Sequence, residues 1–598
     1  MGMCGPGLVG ICLIVTVLTG CESLFDSPGE VVELSDVIEN VDSGAGVDEV
    51  LEANKTDHDT KDPVTFNESD AKLIQLSGQT VQENADGVSF RDQVLTIGAS
   101  GIYRLSGTIE DGQILIDTED DDPVILILDG VNVTCSNSAP LFIANASCTV
   151  IDLLPGTENQ FTDGASYTFE NQDDDEPNAC IFSKDDLTIT GEGSLVIQGN
   201  YEDGIASKDG LVIRGGDLTI RAADDGIRGK DYLVIKGGSL VIDAGGDGLK
   251  SSNEEDSDCG YVYLASGTLQ ITAGGDAIHA MTDALVREAV MGVVTGGGAG
   301  AVQNNSTSAK GIKGLVYTVI DGGTFAMNTA DDAVHSNQVM IINGGFFSIA
   351  TGDDAFHADS LLVINDGKIG VTECYEGVES AVISVNGGEL HLVSSDDGIN
   401  VATGNDGSGT VPGRPPGGPG GDEFGSSGDY YFFMEDGYIT VNSLGDGLDI
   451  NGSVVMAGGT LIVDGPSSNM NGALDYDRSF AMNGGFLLGT GSSGMAQAPG
   501  TGSGQESILV NFSSSKQAGT LVHLESGSGS DLFTFSPSKT YQSVVFSSPD
   551  LESGTSYGIY YGGSTSGSFT DGLLVDGSYS PGTEYREFTI SATTTLIR

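Results

Sequence analysis

The chain has 598 residues, with 86 acidic against 23 basic side chains and a net charge of −63. Phosphate recognition needs a basic footprint, so nucleic acid is excluded as a partner, and an anionic membrane surface is disfavoured for the same reason. Gly at 90 residues, only 16 Pro and no Trp, without a collagen triplet, fit a turn-dense all-β protein.

The chain opens on an apolar stretch, LVGICLIVTVLTG, too short for a comfortable membrane span. It ends in Leu18-Thr19-Gly20-Cys21, which resembles the bacterial lipobox, although no Lys or Arg precedes the apolar run. Residues 1–20 are expected to be a lipoprotein signal peptide with Cys21 lipidated, an ordinary secretory signal with a chance Cys being the alternative. The mature protein would then be extracytoplasmic, anchored at the cell surface through lipid alone. Residues 21–64 are acidic and poor in aromatics, the composition of a disordered tether. Five further cysteines, Cys135, Cys148, Cys180, Cys259 and Cys374, are an odd, scattered set that makes no disulfide framework.

Residues 65–499 are read as one domain. From about residue 180 to 475 a phrase repeats: an apolar run, Gly-Gly, a second apolar run, then Asp-Asp-Gly-Ile. Its landmark apolar residues, Ile205, Ile227 and Leu249, and again Val334, Phe356 and Val378, recur every 22 residues. Period-2 alternation predicts strands with one face buried and one wet, and corner glycines permit positive φ. Three short strands per stacked coil predict an all-β fold, a right-handed parallel β-helix of about 22 residues per coil. Residues 86–180 look like earlier, less regular coils. Long insertions after Leu249, after Ile278 and after Ile399 are expected to emerge on one side and shape a binding face. Residues 500–598 carry longer strands with Ser/Gly turns and are read equally as a cap or a small β-sandwich.

Two positions before each landmark the chain places Asp203, Asp225, Asp247, Asp276, Lys310, Asp332, Asp354, Glu376, Asp397 and Asp446. A second carboxylate precedes several of them, at Glu202, Asp224, Asp331, Asp353 and Asp396. Stacked coils set such groups roughly 4.8 Å apart, where like charges repel by about 3 to 4 kcal/mol at an effective dielectric of 20. The column must be screened, partly protonated or neutralised by cations. Hard oxygen ligands suit Ca²⁺, so the column is expected to bind calcium, with Lys310 replacing a metal by a built-in cation. Simple Asp-Gly turn chemistry is the alternative at any single corner.

One position after the landmarks runs a second ladder, basic or titratable in its middle: Arg228, Lys250, His279, Lys313, His335 and His357. It suits an extended acidic sugar chain, or it merely compensates the neighbouring acids. Zinc on the three His lacks an evident fourth ligand. Tyr232, Tyr261, Tyr263 and Tyr375 are further candidates for stacking on sugar rings, core or corner packing being the commoner alternative, while the absence of Trp argues against a flat platform for crystalline cellulose.

The Asp-Asp-Ala-[Val/Phe]-His phrases at 331–335 and 353–357 resemble a bacterial family of secreted carbohydrate-binding β-helix proteins. So do the Gly-Gly hinges, Ala473-Leu474-Asp475-Tyr476-Asp477 and Ser547-Ser548-Pro549-Asp550-Leu551. The resemblance spans roughly residues 65–598. It implies a polysaccharide-lyase-like fold, calcium among the Asp-Asp-Gly corners, and ligands of the cellulose or polygalacturonate type. The leading expectation is a monomeric, non-catalytic, calcium-dependent carbohydrate-binding lipoprotein. A pectate-type lyase using Ca²⁺ with Arg228, Lys250 or Lys313 as base is one alternative, and a structural surface protein or adhesin is another.

Overall fold

The computed structural model describes residues 43–55, 66–78, 80–83, 86–169, 175–302, 307–402 and 430–598. Cys21 and the expected signal peptide lie outside them. The regular structure of the described chain is strand apart from two short helical segments, and 47 of its strands join one long sheet. Each repeat supplies three strands, such as Ile227–Gly229, Tyr232–Ile235 and Ser239–Ala244. Each strand pairs in parallel with its counterpart one repeat away, which is the pairing of a coiled ribbon consistent with a β-helix. The landmark residues form one continuous ladder: Ile205, Ile227, Leu249, Ile278, Ile312, Val334, Phe356, Val378, Ile399 and Leu448. All of them are buried. Each such side chain contributes about 1.5 to 3 kcal/mol by leaving water, and this interior spine offsets the charge buried beside it.

The two glycine motifs do different work. Gly216 and Gly238, the second residues of Gly-Gly hinges, sit at φ +100° and +102°, a region L side chains rarely adopt. The glycine of Asp-Asp-Gly has no positive φ. At Gly226 a Cβ would lie 2.6 Å from both Gly248 O and Ile242 Cγ2, so close packing of one coil on the next demands it.

Three expectations need correcting. The four-residue strands, such as Tyr232–Ile235 and Val339–Ile342, are buried on both faces rather than one. Their outward residues, Val212, Val234, Tyr263 and Val319 among them, build a second apolar cluster that includes Val47. Residues 43–55, assigned to the disordered tether, supply this cover. A helix at Val47–Leu51 docks there, with Val47 N–H donating to Asp321 Oδ2 (3.1 Å), Asn54 Nδ2 to Asp283 Oδ2 (2.9 Å) and Tyr261 Oη to Lys55 O (2.8 Å). Specific apolar and polar contacts outweigh the acidic composition that argued for disorder. Val47→Asp is expected to cost about 2 kcal/mol of docking energy and to open new protease sites near residue 50, read by limited proteolysis.

The insertions also fail to share one side. Residues 252–260 follow strand Leu249–Ser251, and Asp258 O accepts from Lys55 N–H (2.7 Å), so this loop clamps the N-terminal segment. The insertion after strand Val290–Thr295 leads into Lys310 and sends Ser308 Oγ to Asp276 Oδ1 (2.7 Å). Most of the insertion after Ile399 lies outside the described residues.

Antiparallel hairpins close the first coils, as where Lys72–Gly78 pairs with Thr80–Glu83 and Val88–Arg91 with Val94–Ile97. At the other end Phe486–Gly491 pairs antiparallel with Tyr541–Ser547. Beyond it a six-stranded sheet has its own apolar cluster, shared with Ile462 and Leu488 of the last coils. Cys135, Cys180, Cys259 and Cys374 are buried free thiols, and Cys148 is half-buried.

Candidate functional site

The acids do stack, and in all but Glu376 one oxygen is consumed by a backbone N–H of the next corner. Asp203 Oδ1 accepts Asp225 N–H (3.2 Å), Asp225 Oδ1 accepts Asp247 N–H (2.9 Å), and Asp247 Oδ1 accepts Asp276 N–H (2.8 Å). Asp276 Oδ1 accepts Lys310 N–H (2.7 Å), and the pattern resumes from Asp332 to Asp354 (3.2 Å) and from Asp354 to Glu376 (3.1 Å). Asp397 caps Asp446, and Asp446 caps Gly472, in the same way. An Asn could perform that task. The second oxygen is what distinguishes Asp, and as far as Asp354 it faces a basic or imidazole side chain.

From Arg228 to His357 the protein supplies these partners itself. Arg228 binds Asp203 through Nε (2.8 Å) and Nη2. Lys250 Nζ lies 3.1 Å from Asp225 and 2.8 Å from Asp247. His279 Nδ1 is 3.1 Å from Asp247, Lys313 Nζ is 3.7 Å from Asp276, His335 Nδ1 is 2.8 Å from Asp332, and His357 Nδ1 is 3.1 Å from Asp354. Charge compensation, the weaker-sounding alternative for this ladder, is therefore what its geometry does: Arg228, His279 and Lys313 reach back to the acid of the preceding coil, His335 and His357 fold over their own corner, and Lys250 meets both. Lys310 is buried, and its Nζ meets Asp331 (2.7 Å) and Asp332 (2.6 Å) rather than bridging Asp276 to Asp332.

Electrostatics follow from this packing. Burial alone would raise the Asp332 carboxyl, but Lys310, His335 and His357 hold it well below the usual carboxylate range. Burial and neighbouring Lys310 lower His335, whereas Asp354 and Asp359 outweigh burial at His357 and raise it well above the usual imidazole range. The two rings lie tilted against each other, 4.9 Å between centroids, with their affinities for a proton pushed in opposite directions. Burial works against the Lys250 ammonium, yet Asp247 and Asp225 hold it above the ordinary lysine range. A lysine so held is a poor general base.

Towards the C-terminal coils the ladder changes to Glu379, Asn400 and Asp449. Burial, with Asp449, Asp396 and Asp446 adding their charge, pushes the Asp397 carboxyl up to about 9. Burial, then Asp354 and Glu379, raises Glu376 well above its usual range. Among the described residues no Lys or Arg pairs with either. Asn400 Nδ2 donates to Glu376 Oε2 (2.7 Å), while Asn400 Oδ1 is buried without a hydrogen-bond partner. Carboxylate and amide oxygens around an unused acceptor fit a hard divalent cation. Not every candidate joins this end: Asp224 is exposed, Asp353 is half-buried, and Asp396 accepts from the Tyr375 hydroxyl. Close acid–His groupings at Asp247, Asp276 and His279, and at Asp354, His357 and Glu379, lie along the same edge.

A second feature went unnoticed in the sequence. Outward positions of the third strands align as rows across the coils: Val241, Gln270, Gly292, Ala326 and Ser348 form a trough floor. Gly292 and Ala326 make it shallow, and a Cβ on Gly292 would meet the Gln270 amide, 2.3 Å away. Beside it stand Val290 and Phe346, the latter 63% exposed, and on the other side Val294 and Asn328. Tyr232, Tyr261 and Tyr263 are buried, so of the four tyrosines only Tyr375 offers an exposed ring. Five coils at roughly 4.8 Å each give the trough a length of about 20 Å.

Fold and site together define an all-β protein of parallel coils, with an acid column along one edge and an open trough on one sheet. Residues 91–355 match the family model described as carbohydrate-binding domain-containing protein, less than half of the chain. Over 159 residues, 27% of this chain, the sequence is 40% identical to a carbohydrate-binding domain-containing protein of Acetivibrio thermocellus. The matched part spans 56% of that relative's own length. A solved structure titled as a polysaccharide lyase-like protein from C. thermocellum, gadolinium derivative, is 34% identical, with a TM-score of 0.35. It covers 46% of this chain and 96% of its own. The family likeness read from the sequence is the one these comparisons find. The trough lies almost wholly inside the matched segment, and the acid-only end of the column lies beyond it.

Proposed function

We propose that this chain is a non-catalytic, calcium-dependent carbohydrate-binding protein, wound as a right-handed β-helix, that holds a polysaccharide in the trough of its third strands. The carrying observation is the trough itself. An exposed ring at Phe346 and apolar Val241, Val290 and Val294 alternate with the amides of Gln270 and Asn328, on a face of small residues. Sugars present apolar C–H faces and hydroxyl edges, and this surface offers a partner for each. The trough carries no row of cations, so it favours a neutral glycan of the cellulose type over polygalacturonate.

Calcium belongs to the other edge. Glu376, Asp397, Asn400 and Asp449 would hold it, and it would supply there the positive charge that Arg228, Lys250 and Lys310 supply elsewhere. The remaining sequence candidates, from Asp203 to Asp354, are served by protein cations in this reading. A lipid on Cys21 would keep the protein at the outer face of a membrane, testable by labelled fatty-acid incorporation and its loss in Cys21→Ala.

Affinity electrophoresis in soluble β-glucan and in polygalacturonate tests the glycan reading. Phe346→Ala with Gln270→Ala is expected to weaken retention by the neutral glycan at least tenfold, while Arg228→Gln changes it little. Retention unchanged by the trough variants, or lost with Arg228→Gln, returns the ladder as the sugar site. Lyase chemistry is disfavoured by the ion-paired state of Arg228, Lys250 and Lys313, and release of unsaturated uronate from polygalacturonate would overturn that.

A further inference from the structure

We infer that His523, Glu525 and Asp531, in the C-terminal antiparallel sheet, form a site for a divalent transition-metal ion of the zinc type, independent of the acid column. Strands Val522–Ser526 and Asp531–Phe535 are neighbours, with His523 opposite Thr534 and Leu524 opposite Phe533. Regular pairing would set Leu532 opposite Glu525. A bulge between Leu524 and Glu525 skips it and brings Asp531 opposite Glu525 instead. Bulges re-aim side chains in this way. His523 and Glu525, two residues apart, share a face, and the bulge adds Asp531 to it.

The imidazole is fully buried, yet its Nε2 has no hydrogen-bond partner. It points between Glu525 Oε2 and Asp531 Oδ1, each 3.6 Å away, too long for a hydrogen bond. Two ligands on a four-coordinate zinc with bonds of ~2.1 Å stand about 3.4 Å apart, so these separations suit a shared ion better than direct contact. The other ring nitrogen, Nδ1, lies 2.7 Å from Thr534 Oγ1. With Nδ1–H donated there, Nε2 presents its lone pair to the metal, the usual outer-shell arrangement for a ligating histidine. Tyr579 stacks on the ring at 4.0 Å and fixes its orientation. One nitrogen and two carboxylates select a borderline transition ion, since Ca²⁺ prefers an all-oxygen set. Asp531, 57% exposed at its side chain, leaves the outer side open to solvent.

The test counts zinc. Full-length protein is stripped with chelator, equilibrated with micromolar zinc in millimolar calcium, freed of excess ion, and measured by mass spectrometry of metals. Asp531→Asn removes an exposed group, so its zinc-free melting curve should match that of the parent. The variant is expected to retain one zinc fewer per chain than the parent, and zinc should raise the melting temperature of the parent alone. Equal zinc in both proteins, whether bound or absent, overturns the inference.

Discussion

Lys310→Met is expected to be the most damaging single substitution in the coils, lowering stability by about 3 to 5 kcal/mol. The ammonium is buried between Asp331 and Asp332, both buried themselves. Methionine keeps the volume and removes the charge, leaving two carboxylates facing each other out of water. The cost comes less from a lost attraction than from stranded anions, so it should shrink when the anions are removed. The double variant Lys310→Met/Asp332→Asn should recover a large part of the loss, because Asn can still accept Asp354 N–H as Asp332 Oδ1 does at 3.2 Å. Denaturant midpoints of the three proteins check this. A Lys310→Met protein as stable as its parent would mean that the corner is wetter than its packing indicates.

The second large effect concerns pH at the C-terminal end. In the folded chain Asp397 keeps its proton up to about 9, through burial and the charge of Asp449, Asp396 and Asp446, whereas an unfolded Asp releases it near 3.9. Between those values the folded state binds more protons, so metal-free stability is full below about pH 4 and falls as pH rises towards 9. The slope for one such proton is at most about 1.4 kcal/mol per pH unit. Asp397→Asn is neutral throughout and preserves the acceptor for Asp446 N–H. Without calcium at pH 8 it should therefore exceed the parent in stability by about 3 to 5 kcal/mol, an advantage that vanishes near pH 4. Melting curves across that range, with chelator present, measure it. Parallel curves for parent and variant would count against a raised Asp397.

Much of the coil was legible because the inward ladder obeys a simple rule. Ile205, Ile227 and Leu249 recur at one spacing, and stacked coils bring one spacing to one place. Direction was not legible. Sequence puts Arg228 three residues after Asp225, but its guanidinium reaches back a whole coil to Asp203, a choice made by side-chain packing. Glycine at the corners reads from sequence as a residue for positive φ, while the glycine of Asp-Asp-Gly answers to a neighbour's carbonyl that sequence does not display. Docking of residues 43–55 rests on Val47 and a few polar contacts, too sparse to alter an acidic composition. The trough escaped notice because small and polar outward residues are what any wet strand shows. Only the register of Gln270, Gly292 and Ala326 reveals that they line up. At His523 the deciding event is a bulge, and nothing in the letters around Leu524 announces one.

A calorimetric titration of the chelator-stripped full chain with calcium at pH 8 goes most directly to the central proposal, that a divalent ion completes the acid column where Arg, Lys and His no longer do. The parent should show saturable binding with release of protons, and Asp397→Asn should lose that binding while keeping its fold. Superimposable isotherms for the two proteins would contradict it.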